Sequence, residues 1–247
     1  MPEYVYGVVA ADVRLPKTEG IGGQPIRSVV GEDGVAAVVS DLSADEELRL
    51  GRDEVLTHSR VLGEVQGSGA VLPMQLGIVM DSDDEVRERL LEPHAPELVE
   101  QLEQFRGKFE ANVRVVYEED ALMREVIASD PQIAELRQAI QGRDPDGTYY
   151  ERIQLGELVA GAVERIREAD EANLMSALCQ VSLEQNVSPP AHERVALNAA
   201  FLLEQARAKE FDDVLEAIAE GQSGRLRFRY TGPLPPHSFV ELAGAGS

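Results

Sequence analysis

The chain has 247 residues, enough for one large domain or two of ordinary size. Its 23 lysines and arginines stand against 45 aspartates and glutamates, and the net charge of −22 repels phosphate backbones and anionic lipid headgroups, so we expect neither nucleic acid nor a membrane as a partner. A single cysteine, Cys179, excludes an intramolecular disulfide and a thiolate-rich metal site. Without a signal-peptide pattern or a long apolar run, we expect a cytoplasmic protein.

The first part of the chain predicts the order strand, loop, strand, strand, helix, strand, followed by further helices. Two β-branched runs flank Gly31-Glu32-Asp33-Gly34, a turn composition that joins antiparallel strands as a hairpin. Ser82 and Glu85 have the spacing of a capping box at a helix start. The predicted elements are strands over 3–10, 26–30, 35–39 and 70–76, helices over 52–66 and 82–91, and a helix that follows Pro96.

From residue 112 the predicted order is strand, helices, strand, strand, helix, strand. Leu155, Val159 and Ala162 recur three or four residues apart, and we expect their helix to pair with the preceding one as an antiparallel hairpin. The alternating residues 195–206 indicate a strand, although their alanine content leaves a helix as the alternative. The predicted elements are strands over 113–117, 175–183, 195–206 and from 225 on, and helices over 120–141, 150–174 and 207–220.

Both halves approximate the βαββαβ order of a ferredoxin-like sandwich, so we predict a two-domain α+β protein. Residues 1–110 would form a modified N-terminal ferredoxin-like domain. Residues 111–247 would form a C-terminal ferredoxin-like α/β domain with an inserted long helical hairpin and a Pro-rich tail. Because prolines donate no backbone N–H, we expect that tail to be rigid and extended and to close the second domain, with Phe228 and Tyr230 facing inward.

No pattern of catalytic or metal-binding residues emerges. His58 is predicted to face solvent from its helix, and Cys179 is predicted to be a small core residue. The glycines of residues 20–23 complete neither of the common phosphate-binding motifs. The acidic residues 81–85 are explained by the dipole at a helix N-terminus. We therefore expect no catalytic residue, no cofactor and no metal.

Arg225, Arg227 and Arg229 form the one constellation that suggests binding. They alternate along the last predicted strand and therefore project from one face of it, in a chain dominated by acids. One interpretation is a solvated sheet face with carboxylate partners on the neighbouring strand. The other is a docking stripe for an acidic segment of a partner protein.

Four segments stand out along the chain: Tyr-Val-Tyr-Gly-Val-Val at 4–9, Val-Leu-Pro-Met-Gln-Leu-Gly at 71–77, Leu-Asn-Ala-Ala-Phe-Leu-Leu at 197–203, and residues 230–239. The last is fairly specific, because an alternating strand leads into Gly-Pro-x-Pro-Pro-x-Ser-Phe. In this order, and spread over nearly the whole chain, the four segments resemble the gas vesicle protein F/L family. Leu234 and His237 stand in the tail at positions that are often aromatic in that family.

The resemblance implies a cytoplasmic, non-enzymatic accessory or minor structural protein of gas vesicle formation. Its expected partners are the small hydrophobic shell protein and other accessory proteins, and its expected locations are the cytoplasm and the gas vesicle. The residues leave one alternative of another class, a ferredoxin-like regulatory protein that binds a small molecule, because such sandwiches host many functions. Its ligand cradle would be the glycine-rich loop over 20–25, and an enzyme is a third reading.

Overall fold

The computed structural model describes residues 1–43, 49–144 and 146–241. The fold is α+β, with two sheets and helices. The described residues divide into two compact units. The first comprises residues within 1–111, 202–206 and 232–241, and the second comprises residues within 112–201 and 207–231. The ferredoxin-like character of the domains and the boundary after residue 110 stay predictions.

The strands and helices follow the chain in the order that most of the sequence patterns predict. The strands are β1 Glu3–Ala10, β2 Ile26–Val30, β3 Val35–Asp41, β4 Val71–Pro73, β5 Val79–Met80, β6 Lys108–Tyr117, β7 Glu184–Val187, β8 Val195–Glu204 and β9 Leu226–Leu234. The helices are α1 Arg52–Gln66, α2 Asp83–Glu85, α3 Ala95–Gln104, α4 Glu119–Ser129, α5 Pro131–Ile140, α6 Tyr149–Leu178 and α7 Ala208–Gly221. A π-helical segment Val86–Leu91 and a 3-10 turn Glu92–His94 continue α2 towards α3.

The first sheet has the order β2-β3-β1-β4, and β5 also pairs with β1. All of these pairs are antiparallel. The predicted hairpin between β2 and β3 is confirmed: its turn holds Asp33 and Gly34 at φ 56° and 80°, the left-handed conformation that the tight turn between twisted strands requires. Glycine adopts this conformation without steric cost, and aspartate, like asparagine, tolerates it. These preferences explain why Asp33 and Gly34 occupy the turn.

The central strand β1 is buried on both faces, which accounts for its nearly continuous apolar sequence. On one face Tyr4 and Tyr6 pack in a cluster with α1 residues such as Leu62. On the other face Val5 and Val8 pack in a second cluster, to which α3 contributes. That second cluster consists of Val5, Val8, Val29, Val35, Ala37, Val39, Leu72, Met74, Val86, Leu90, Leu91, Ala95, Leu98, Leu102, Phe105 and Leu202.

The proline-rich end of the chain lies within the first unit, whereas we had predicted that it would close the second domain. Strand β9 runs on to Leu234 through a cis Gly232–Pro233 bond. The side chain of Gln66 then donates to the Leu234 carbonyl at 3.0 Å, and the backbone N–H of Ser238 donates to the carboxylate of Glu110 at 2.7 Å. Beyond this, Phe239 and Val240 pack against the apolar cluster. Tail contacts thus belong to the core of the first unit.

The second sheet has the order β7-β8-β6-β9. In the second unit, Phe211 of α7 lies against it, with its ring centroid 5.4 Å from that of Phe201 and 6.3 Å from that of Tyr230. Tyr230 is nevertheless 37% exposed, so its predicted inward position is only partly realised. Residues 195–204 form a strand, which decides between the two alternatives left open by their sequence.

Two predicted elements of the second unit are wrong. The single helix predicted over 120–141 is two helices, because Pro131 lacks an N–H and disfavours helical backbone at the preceding residue. Asp130 instead caps α5 by accepting a hydrogen bond from the N–H of Gln132 at 2.9 Å. The strand predicted over 175–183 is the end of α6 and a 3-10 turn, since Leu174 and Leu178 bury one helical face.

Candidate functional site

Arg225 of the predicted stripe is an ion-pair centre within the second unit. Its guanidinium donates to both carboxylate oxygens of Glu125, each at 2.9 Å, and to those of Asp170 at 3.0 and 2.7 Å. It also lies 5.7 Å from the ring centroid of Tyr117. Burial alone would lower the pKa of Arg225, but the hydrogen bonds from its two carboxylate partners raise it above its ordinary value. This arginine directly precedes β9 and ties the start of that strand to helices α4 and α6.

Tyr117 completes that cluster. Its hydroxyl donates to Asp170 at 2.6 Å, so this carboxylate is held by a phenol as well as by the guanidinium. Burial raises the pKa of Tyr117 well above its ordinary value, and the neighbouring charge of Asp170 raises it further. The phenol is therefore a permanent donor at neutral pH.

Arg227 and Arg229 differ from Arg225. Arg227 is exposed and donates to one oxygen of Glu118 at 3.0 and 2.7 Å. Arg229 is also exposed, and within the described residues it makes no ion pair. The carboxylate partner of the first interpretation is thus present for Arg227, whose partner Glu118 directly follows β6, whereas the partners of Arg225 lie on helices α4 and α6. The docking role of the stripe stays a prediction.

A buried polar cluster in the first unit was missed by sequence reasoning. His58, predicted to face solvent, is only 4% exposed. The Tyr4 hydroxyl accepts a hydrogen bond from the Gly77 N–H at 3.0 Å and is hydrogen-bonded to His58 Nδ1 at 2.9 Å. Burial lowers the pKa of His58 to about 4, so the imidazole is neutral at pH 7. The missed signal is its spacing from the buried residues Val61, Leu62 and Val65 of the same helix.

The glycine-rich loop packs against this cluster. The N–H of Ile21 donates to the Tyr6 hydroxyl at 2.5 Å, and that hydroxyl lies 2.9 Å from Ser40 Oγ. A Cβ at Gly20 would lie 2.3 Å from the Tyr6 hydroxyl, so the close approach requires glycine. The N–H groups of Gly20 and Gly23 also bond within the loop. Several of the amides that a ligand cradle would offer are already used for folding.

A second polar cluster of the first unit surrounds Arg27. Its Nη2 lies 2.7 Å from Glu3, 2.9 Å from Asp41 and 2.7 Å from Asp83. Glu3 is 2% exposed, and burial, aided by a hydrogen bond to Asp83, raises its pKa to about 7. Hydrogen bonds from Glu3 and Arg27 hold the pKa of Asp83 below its usual range. Of the two neighbouring acids, Glu3 is therefore the weaker.

Neither a metal-binding cluster nor a membrane-spanning helix is found among the described residues. Among them there is no group of three or more His, Cys, Asp or Glu side chains placed to hold a metal ion. In the same part of the chain, no helix combines the length and the apolar character needed to cross a bilayer. Cys179 is partly buried where α6 ends.

Comparison with known proteins gives the family. Residues 3–241 match the family described as gas vesicle synthesis protein GvpL/GvpF. The chain is 36% identical to gas vesicle protein F of Streptomyces sp. strain CB03234, over 98% of this chain and 100% of that protein. Its identity to gas vesicle protein L of the same strain is 28%, over 98% and 93% of the two chains.

A solved structure shares the fold. The crystal structure of the gas vesicle protein GvpF from Anabaena sp. PCC7120 matches with a TM-score of 0.84 at 23% sequence identity, covering 98% of this chain and 99% of that one. The resemblance inferred from four sequence segments is confirmed. Because the family match extends over almost every residue, this protein belongs to the GvpL/GvpF family of gas vesicle synthesis proteins.

Proposed function

We propose that this protein is a non-enzymatic accessory protein of gas vesicle formation, which binds the hydrophobic shell protein and other accessory proteins during assembly. The observation that carries the proposal is the family match over residues 3–241. The greater identity to a protein F than to a protein L of one strain favours the F type. Its sites of action would be the cytoplasm and the gas vesicle.

The physical chemistry of the chain supports this role. A net charge of −22 repels like molecules and would keep a complex with an apolar client dispersed. The buried groups with shifted pKa values are engaged in packing: His58 is bonded to Tyr4, and Glu3 to Arg27. The two-domain, ferredoxin-like organisation is part of the same proposal, with the exposed arginines of the last strand, Arg227 and Arg229, as its docking residues.

Co-expression tests the role directly. The tagged protein is produced with the shell protein from the same gene cluster, and the shell protein is expected to co-purify in stoichiometric amounts. In cells that carry the complete cluster, deletion of this gene is expected to abolish floating vesicles, and its return to restore them. Normal vesicle yield after deletion, together with no co-purification, would contradict the proposal.

The groove beside β2 favours one other function, the binding of a small molecule. This open groove of about 860 Å³ in the first unit is lined by apolar residues such as Leu15 and Ile26 and by the cations Lys17 and Arg60. A thermal-shift screen against nucleotides and amino acids distinguishes the two functions. A ligand that raises Tm, with the rise lost in Lys17→Ala, would favour a regulatory protein if the shell protein also failed to co-purify.

A further inference from the structure

One face of the second sheet carries exposed arginines, and the opposite face is buried in the core. Along β6, Val113, Val115 and Tyr117 are buried, whereas Arg114 between them is exposed. Along β9, Leu226 is buried and Arg229 is exposed. Because successive side chains of a strand point to opposite faces, the alternation separates a core face from an open face.

The contacts between β6 and β9 put these arginines on the same open face. The Glu118 N–H donates to the Arg225 carbonyl at 2.9 Å, which sets the two strands in register. The side chain of Arg227 pairs with that of Glu118, so both lie on one face. Residues two positions apart in a strand lie on the same face, so Arg114 shares the face of Glu118, and Arg229 shares the face of Arg227. In an antiparallel pair anchored by this backbone bond, Arg114 and Arg229 each lie four residues from the bond and therefore face each other.

Two like charges directly opposite each other on neighbouring strands are destabilising, and no carboxylate of the described residues neutralises this pair. Within the part of the chain that the structure describes, neither Arg114 nor Arg229 forms an ion pair. The acid nearest in register, Glu118, is already bound by Arg227.

We propose that the open face formed by Arg114, Arg227 and Arg229 binds an acidic segment of another gas vesicle protein. The inference rests on the proposed accessory function and names the surface and the chemistry of the partner. Charge complementarity carries it: carboxylates of the segment would neutralise the facing pair and remove its repulsion. Nucleic acid and anionic lipid, the other polyanions, are disfavoured by the net charge of −22. Arg225, saturated by Glu125 and Asp170, is not part of this surface.

Site-specific photo-crosslinking identifies the segment. A benzophenone amino acid replaces Val116, a partly buried residue two positions from Arg114 on the same face, and the protein is co-expressed with the full gas vesicle gene cluster. Mass spectrometry of the crosslink is expected to map a segment rich in Asp and Glu in another gas vesicle protein. A crosslink only to a second copy of this chain, to nucleic acid or to lipid would overturn the proposal, and so would a neutral or basic segment.

Affinity measurements then test the arginines, with the crosslinked segment as a fluorescent peptide. Arg114→Gln with Arg229→Gln is expected to weaken binding about 10-fold or more, and the wild-type affinity is expected to fall steeply with added salt. The matched control is Arg137→Gln with Arg165→Gln, two exposed arginines of the same unit, which changes the net charge equally. Equal affinities of the two double variants would overturn the proposal.

Folding and the wider function are checked separately. Both double variants should retain the wild-type circular dichroism spectrum, and the loss of the facing charges should leave Tm unchanged or raise it. If the double variant fails to fold, Arg229→Gln alone should still weaken binding several-fold, and an unaltered affinity would count against the surface. When the wild-type protein co-purifies with no gas vesicle protein, the proposed function fails. When wild type and variant co-purify equally with one, only this inference fails.

Discussion

Each unit contains an arginine held by carboxylates from distant parts of the sequence, but the two clusters balance their charge differently. Arg27 in the first unit faces the carboxyl groups of Glu3, Asp41 and Asp83. Arg225 in the second unit faces Glu125 and Asp170, and the hydroxyl of Tyr117 donates to Asp170. Acids exceed cations in both clusters.

The two clusters compensate their excess of acidic groups in different ways. In the first cluster an acid is partly protonated at neutral pH, since burial raises the pKa of Glu3 to about 7. In the second a neutral phenol supplies the extra donor, and its raised pKa keeps it protonated. A buried carboxyl with a pKa near 7 responds to pH in the physiological range, whereas a phenol does not. The comparison predicts that the stability of the first unit depends more strongly on pH changes near neutrality than the stability of the second.

The largest effect is expected from Arg27→Met. The change leaves Glu3 buried without its counter-ion, and a loss of about 2 to 3 kcal/mol in the free energy of unfolding is expected, below the range for fully buried pairs because Arg27 is partly exposed. Urea unfolding followed by circular dichroism measures it. Arg52→Met, an exposed arginine at the start of α1, is the control and should leave the midpoint unchanged. Equal midpoints for both variants would contradict a structural role for Arg27.

Arg225→Met should destabilise by about 2 kcal/mol, because its removal leaves Glu125 and the mostly buried Asp170 without their strongest donor. Arg229→Met should change the free energy of unfolding by less than about 0.5 kcal/mol, as expected of an exposed residue. Denaturant curves of the two variants side by side separate fold from docking within the stripe. If Arg225→Met is as harmless as Arg229→Met, Arg225 is released for a binding role.

Glu3→Gln should flatten the pH dependence of stability by an amount of order 1 kcal/mol. The pKa of Glu3 is about 7 in the folded protein and 4.5 in the reference state, so between these values the folded state keeps a proton that the unfolded state loses. Stability should therefore fall as pH rises from about 4.5 to 7. Unfolding free energies at a series of pH values measure the slope. The surface substitution Glu32→Gln should keep the wild-type decline, and an identical slope in Glu3→Gln would refute the assignment.

The smallest effect concerns His58, whose neutral imidazole works in the opposite direction. Its pKa of about 4 lies below the ordinary value of 6.5, so its contribution to stability is lost as pH falls from about 6.5 to 4. The imidazole proton resonance of His58 should not titrate above about pH 5 in the folded protein, and in urea it should titrate near 6.5. Titration near 6.5 in the folded protein would show that the ring is not desolvated.

The sequence predicts the first sheet well, because its signals are local. Runs such as Ile26–Val30 and Val35–Asp41 are β-branched on both sides of a turn that demands a left-handed backbone. The end of α6 was mistaken for a strand because residues 175–181 fit both a period of two and the spacing of Leu174 and Leu178. The break at Pro131 was readable, since proline seldom lies inside a helix.

The polar clusters were not readable in the same way. Glu3 and Arg27 are 24 positions apart in the sequence, and Arg27 and Asp83 are 56 positions apart. No periodicity of the sequence links residues at such separations. Arg114 escaped notice because its importance depends on the register of β6 against β9, which the sequence does not reveal. The alternation of Arg227 and Arg229 was visible, but their partners became known only with the structure.

The return of the proline-rich segment has a consequence for how the protein is made. The first unit takes Leu202 into its apolar cluster and binds residues 234–241 through Gln66, Gln101 and Glu110. During translation these late residues have not yet been synthesised when the first hundred emerge from the ribosome. The N-terminal unit can therefore complete its core only after the second unit has been synthesised, so the part made first is finished last.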